Sequence, residues 1–198
     1  MVTYDSGGGI RAARLWWMLR AISVPAAVLD GGLEAWQTAG RPLVSGDDIG
    51  DGTDRAPAVP PLTPFPRPEP WAGIEEVAAI SRGDRPGTLV CAPPAGGFDG
   101  STPTRYSRRG HIPGSRSLPG RDLLDSAGRM LPGPELAARA DAVLHGADSP
   151  VVLYRGGGIS AAGTALALTL LGRDGIAVYD GSLEEWSKDP ALPPELGG

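Results

Sequence analysis

The chain has 198 residues, 41% of them hydrophobic, and a formal net charge of −5, as expected of a globular protein large enough to bury a core. This charge leaves no basic face for nucleic acid, so we exclude a nucleic-acid partner. One cysteine and two histidines can assemble neither a disulfide framework nor a zinc site within one chain, and we expect no metal and no cofactor. Arginines interrupt the apolar N-terminal stretch, which predicts no signal peptide, no membrane span and a cytoplasmic protein. The strong preference for arginine over lysine favours a bacterial source.

The chain contains an internal repeat, which governs the predicted elements. Residues 2–36, "VTYDSGGGIRAARLWWMLRAISVPAAVLDGGLEAW", match residues 152–186, "VLYRGGGISAAGTALALTLLGRDGIAVYDGSLEEW". Each copy reads as a strand, a glycine loop, a helix and a second strand, followed by a turn that ends in tryptophan. Two strands joined by a helix are expected to lie parallel, with a right-handed crossover. The fold class is therefore α/β, with a parallel sheet flanked by helices.

In chain order, the first copy supplies a predicted helix over 10–22. A stretch rich in Pro, Gly and Asp, 46–70, reads as a linker. After it we predict a helix over 74–80, a strand over 88–91, a loop to residue 114, a brief strand near 117 and a helix over 134–144. The second copy then supplies a strand over 151–154 and a helix over 159–171.

This order predicts one complete domain over 71–198 and half a domain over 1–45. The half domain has apolar faces that need a partner. Three alternatives would satisfy it: packing on the complete domain, a natural chain that begins earlier, or a second polypeptide. We therefore expect a homodimer or a completing chain to act through residues 1–45.

The loop of the second copy is a candidate anion site, made of Arg155, Gly156, Gly157, Gly158, Ile159 and Ser160. Consecutive glycines at a strand-to-helix turn let backbone N–H groups face inward, and the helix N-terminus adds positive potential. The plainer interpretation is a tight turn with no ligand. Both loops also fit G-x-G-x-x-A with an aspartate after the next strand, Asp30 or Asp180, which leaves a dinucleotide-binding α/β protein as an alternative. That pattern normally opens a sheet with several strands still to come, whereas few residues follow Asp180.

Two segments, "RRGHIPGS" over 108–115 and "YDGSLEEW" over 179–186, resemble the signature segments of the rhodanese family of sulfurtransferases. "VLDGGLEAW", over 28–36, repeats the second one, as in tandem rhodaneses. The resemblance implies a cysteine at the head of the glycine loop, whose thiolate is stabilised by the loop and takes up sulfur as a persulfide. The donor would be a species such as thiosulfate, and the acceptor cyanide or a thiol.

At the position that the resemblance assigns to the cysteine, this chain has Arg155, which stays protonated and cannot attack sulfur. The first copy has Asp5 there. Three further positions depart from the family pattern: Pro93 and Gly97 stand where arginines are expected, and Cys91 stands in place of an aspartate. We therefore predict a rhodanese-like pseudoenzyme with no intact catalytic residue, which binds either a small sulfur-containing anion or a partner.

An active sulfurtransferase is the alternative, with Cys91 or a completing chain supplying the thiol. The competing interpretation of Cys91 is a buried core residue. His111 is expected to be structural and the arginine cluster at 105–109 a solvated surface. Ser160 lacks the flanking pattern of a nucleophile elbow.

Overall fold

The computed structural model describes residues 1–44, 63–104, 106–155 and 159–197. Most of the predicted linker lies outside these ranges, as do the three glycines of the second loop. Among the described helices, none is long and apolar enough to cross a membrane.

A five-stranded parallel sheet forms the centre of the molecule, in the order β3-β7-β6-β4-β5. Its strands are β3 (Trp71–Ala72), β4 (Thr88–Cys91), β5 (Arg116–Ser117), β6 (Val151–Tyr154) and β7 (Ile176–Tyr179). The three central strands are almost wholly apolar because helices cover both faces of the sheet. This arrangement confirms the predicted α/β class.

Side chains alternate between the two faces of each central strand. Leu153 packs in one core cluster with helices α5 (Gly133–Leu144) and α6 (Ala161–Leu170). Its neighbours Val152 and Tyr154 pack in the other cluster, with α3 (Ile74–Ser81) and α7 (Ser182–Trp186). The loop between β4 and β5 carries a short helix, α4 (Ala95–Phe98).

The N-terminal residues form a strand–helix–strand unit of their own. Strands β1 (Val2–Thr3) and β2 (Ala27–Val28) make a separate two-stranded parallel sheet, with α1 (Ile10–Ala21) between them and α2 (Gly32–Thr38) after them. Helix α1 contributes Trp16 and Trp17 to the same core cluster as α6. Both tryptophans are buried.

The predicted helices and strands all occur, with ends that differ by no more than two residues. Five short elements were not predicted: β3, α4, a 3-10 turn at Gly120–Leu123, and the helices α2 and α7, which stand where each repeat was expected to have a turn. The span between β4 and residue 114, predicted to be a loop throughout, therefore contains a helix. Elements of two to seven residues have too few positions to show a hydrophobic period.

Candidate functional site

Arg155 follows the last residue of β6 directly, at the carboxyl end of the sheet, and its backbone is held by the start of α7. Its N–H donates to Ser182 Oγ at 3.2 Å, and its carbonyl accepts from Leu183 N at 3.1 Å. The guanidinium Nη1 donates to Ser160 Oγ at 2.8 Å, so the half-buried side chain leans towards the start of α6. A guanidinium carries further N–H donors besides the one that Ser160 accepts.

The sequence analysis did not single out Ser182 as a residue that positions this site. Its backbone has φ of 51°, which is uncommon for a residue other than glycine. That conformation lets the buried hydroxyl donate to the Tyr179 carbonyl at 2.7 Å while it accepts from the N–H of Arg155. The serine in "DGS" was visible, but nothing in the sequence pattern reveals a positive φ there.

Three positions that depart from the family pattern line one cleft. Pro93, Gly97 and Arg155 all face a space of about 290 Å³, and Thr104 and Leu183 complete part of its wall. Arg155 is the one charged residue among the described residues that line it. The Thr104 hydroxyl oxygen is buried and has no hydrogen-bond partner within the described part of the chain. The cleft therefore offers the cation of Arg155 to a ligand.

Cys91 is not among the residues that line this cleft. It is fully buried in the sheet, paired in register with Tyr154 across β4 and β6. Burial raises the pKa of its thiol to about 12, although the Tyr154 hydroxyl, the charge of Arg155 and the Ala92 N–H oppose the rise. The charge of Arg155 thus lowers the pKa of Cys91, but burial outweighs this effect.

The loop of the first repeat is occupied by its own carboxylate. Asp5 Oδ1 accepts from the N–H groups of Gly7 and Gly9 at 2.7 and 2.9 Å, and Oδ2 accepts from those of Arg11 and Ala12 at 2.8 and 2.9 Å. Burial opposes ionisation, yet these bonds prevail and lower the pKa of Asp5. The first loop is thus an anion cradle whose occupant is part of the chain.

Comparisons with known proteins assign this fold and sequence to one group. The model of the rhodanese-like domain matches residues 93–189. A 3-mercaptopyruvate sulfurtransferase of Escherichia coli is 31% identical over 98% of this chain and 67% of its own length. The chain belongs to the rhodanese family of sulfurtransferases.

This rhodanese-family chain is shorter than the relatives it matches. A mitochondrial thiosulfate/3-mercaptopyruvate sulfurtransferase of Arabidopsis thaliana is 33% identical over 98% of the chain, which spans only 56% of that relative. Among solved structures, an anaerobic ergothioneine biosynthesis enzyme from Chlorobium limicola shares the fold, with a TM-score of 0.80 and 24% identity over the whole chain and 51% of its own. A substantial part of each relative therefore has no counterpart here.

The signature residues of this rhodanese-family chain serve its structure. His111 is buried, stacks on Phe98 with ring centroids 3.8 Å apart and has Nδ1 2.9 Å from the Phe98 carbonyl oxygen. Its backbone pairs with Glu195 in both directions. These contacts agree with the structural role expected of His111, because they anchor the C-terminal segment to the loop.

The arginine cluster at 105–109 was predicted to be a solvated surface, and for Arg108 this prediction is wrong. Its half-buried guanidinium donates to the carbonyls of Trp186, Ser187, Asp189 and Leu192. Those carbonyls lie at the end of α7 and in the following turns, where helix geometry leaves acceptors unpaired. Arg109 is exposed, as predicted, and Arg105 lies outside the described residues.

The two aspartates of the dinucleotide alternative contact other parts of the protein. Asp180 forms an ion pair with Arg14 of α1 at 2.6 Å, and Asp30 accepts from Met130 N at 2.8 Å. Both carboxylates thus have partners within the protein. The alternative gains nothing from this geometry, and the comparisons assign another family.

Proposed function

We propose that this chain is a non-catalytic member of the rhodanese family that binds a small sulfur-containing oxyanion at Arg155. One observation carries the proposal: among the described residues that line the cleft, Arg155 is the charged one, and three departures from the family pattern meet there. By the resemblance, it stands where the family carries its cysteine.

The chemistry of the cleft favours an oxyanion over sulfur transfer. A guanidinium remains protonated at working pH and offers several N–H donors in one plane, which suits the oxygens of thiosulfate or sulfite. Gly156, Gly157 and Gly158, which belong to the predicted anion loop, lie outside the described residues, while Ser160 contacts the guanidinium itself.

Sulfur transfer through Cys91 is the competing hypothesis, and the burial of this thiol weighs against it. A thiol with a pKa of about 12 is a thiolate in roughly one molecule in 10⁵ at neutral pH. The residue also lacks an opening to the cleft. Catalysis by Cys91 would need the sheet to part, or a second chain to supply another thiol.

Binding and turnover test the proposal together. We expect no thiocyanate from thiosulfate and cyanide, and we expect thiosulfate binding, measured by titration calorimetry, to weaken at least about tenfold in Arg155→Met. The exposed Arg109, mutated to Met, is the matched control and should leave binding unchanged. Turnover that disappears in Cys91→Ala would contradict the inactive assignment, and equal binding by both arginine variants would contradict the site.

A thiol restored at the loop gives a second measurement on the same site. In Arg155→Cys, a thiolate that attacks the outer sulfur of thiosulfate would form a persulfide and release sulfite, and mass spectrometry would show one added sulfur atom. Gly97→Arg is the second change to combine with it. A Cβ at Gly97 would lie 3.1 Å from Pro93 Cβ, so Pro93 must shift to admit a side chain there. For this reason Arg155→Cys is tested alone before it is combined with Gly97→Arg.

A further inference from the structure

The two repeats agree in strand register, which makes the second a template for the first. Val2 pairs with Ala27 and Thr3 with Val28. One hundred and fifty residues later, Val152 pairs with Ala177 and Leu153 with Val178. Each of these strand residues therefore has a counterpart in the second unit, whose surroundings show what the first unit lacks.

On the side that faces α1 or α6, the counterparts are buried alike. Thr3 and its counterpart Leu153 are both buried, as are Ala12 and Ala162. Helix α1 thus covers this side of β1, as α6 covers the same side of β6. This face of the N-terminal unit needs no further partner.

On the opposite side, the counterparts differ in exposure. Tyr154 is 0% exposed and its counterpart Tyr4 is 61% exposed. Val152 is buried and Val2 is 63% exposed, while Trp186 is 2% exposed and Trp36 is 36% exposed. An aromatic and aliphatic face that is core in one repeat is thus open in the other.

In the second repeat this face is covered by a strand–helix–strand segment, residues 71–91. Strand β4 pairs with β6 along its whole length, and α3 packs Val77 and Ile80 into the cluster that holds Val152, Tyr154 and Trp186. In the first repeat, the edge of β1 that corresponds to the β4 side of β6 pairs with no strand among the described residues. The exposed apolar side chains of the first repeat therefore lie beside the unpaired edge of β1.

We infer that Val2, Tyr4 and Trp36, with the free edge of β1, form a docking surface for the front half of a rhodanese-like domain. The occupant has the order of residues 71–91: a strand that pairs parallel with β1 and an apolar helix that covers Tyr4 and Trp36. The relatives have enough additional chain for such an occupant, since one third of the E. coli relative lies outside the match. This inference is independent of the anion proposed at Arg155.

A second copy of this chain fits the surface less well than a free front half. Its own residues 71–91 are committed to the central sheet, where β4 lies between β6 and β5 and its residues are buried. Donating them would uncover the same apolar face elsewhere. Self-association through residues 71–91 would therefore cover the apolar face of the first repeat but expose the equivalent face of the second repeat.

The test mixes the full chain with the part of the E. coli relative that lies outside the match. We expect a one-to-one complex by light scattering, with amide hydrogen exchange slowed at residues 2–4. Tyr4→Asp should weaken the complex at least about tenfold, because it places a charge in an apolar interface. Leu170→Asp is the matched control, since Leu170 is also exposed but lies at the end of α6.

Each result bears on the inference. The same thermal unfolding midpoint for both variants would show that the exposed substitutions leave the fold intact. Lack of a complex at micromolar concentration, or a complex equally weakened by Leu170→Asp, would overturn the inference. A stable homodimer of the full chain that Tyr4→Asp dissociates would also overturn it, because a second copy would then be the occupant.

Discussion

At the scale of single residues, the two repeats place opposite charges on the same backbone frame. The carbonyl of Asp5 accepts from Leu33 N at 2.9 Å, as the carbonyl of Arg155 accepts from Leu183 N at 3.1 Å. The Asp5 carboxylate turns back onto the N–H groups of its own loop, whereas a guanidinium, which only donates, must seek acceptors. The first loop therefore contains its anion, and the second presents a cation to the cleft.

Asp5→Asn tests how much the occupied cradle stabilises the fold. We expect a loss of about 1–2 kcal/mol at neutral pH, because an amide cannot accept on both sides from four N–H groups and the site is partly solvated. The pKa of Asp5 is lowered in the folded state. Its contribution is therefore complete above the ordinary aspartate pKa and is lost as the pH falls through the folded value.

The measurement is urea unfolding of the wild type and of Asp5→Asn, at neutral pH and near pH 2. The lower pH lies at about the lower end of the pKa range of hydrogen-bonded carboxylates. Asp189→Asn is the control, since its carboxylate accepts from the single N–H of Ala191. A stability difference between wild type and Asp5→Asn that is the same at both pH values would show that ionised Asp5 does not stabilise the loop.

At the scale of elements, the sequence predicts the elements that local interactions form. It does not predict those that depend on partners distant in sequence. Strand β6 and helices α1 and α6 are marked by runs of apolar residues within themselves, and the sequence predicted all three. Strand β3 has two residues and exists because it pairs with β7, about a hundred residues later. No local pattern can reveal such an element.

The candidate site likewise has one feature that the sequence predicts and others that it does not. The position of Arg155 at the head of the loop was predictable because it follows the buried strand β6 directly. The occupied cradle of Asp5, the positive φ of Ser182 and the carbonyl contacts of Arg108 were not. Each depends on a backbone conformation or on a partner that is distant in sequence.

Arg108 connects the loop before His111 to the end of α7, and its removal tests that link. We expect Arg108→Lys to cost about 2–3 kcal/mol, because a compact ammonium cannot reach four separated carbonyls and leaves some of them unpaired. Chemical denaturation measures the loss, and the exposed Arg109, mutated to Lys, should fall within about 0.5 kcal/mol of the wild type. Equal stability of the two variants would show that the carbonyl contacts of Arg108 contribute little.

At the scale of the whole molecule, the N-terminal unit and the central sheet share one hydrophobic cluster. Trp17 of α1 is 1% exposed, packs in that cluster with Leu168 and donates its indole N–H to the Pro70 carbonyl at 3.2 Å. Arg14 adds the ion pair with Asp180 and lies 5.0 Å from the Trp71 ring centroid. The face of α1 that lies on α6 is thus already internal, in contrast to the face that carries Tyr4.

This shared core predicts that residues 1–44 and the central sheet unfold together. Trp17→Ala should lower the free energy of unfolding by about 3–5 kcal/mol, since it removes a large buried side chain from a cluster contributed by both repeats. Leu15→Ala, on the exposed side of the same helix, should cost far less. In both proteins, tryptophan fluorescence and far-ultraviolet circular dichroism should report one coincident transition.

Two independent domains, 1–45 and 71–198, would give a different unfolding result for Trp17→Ala. If the two parts were independent domains, Trp17→Ala would lower only the first of two transitions, and the second would keep the midpoint of the wild type. If they fold as one unit, the single midpoint moves as a whole, because the cavity left by the indole lies against α6 and the central strands. The number of transitions in Trp17→Ala therefore decides whether the N-terminal unit is a separate domain or a layer of the same core.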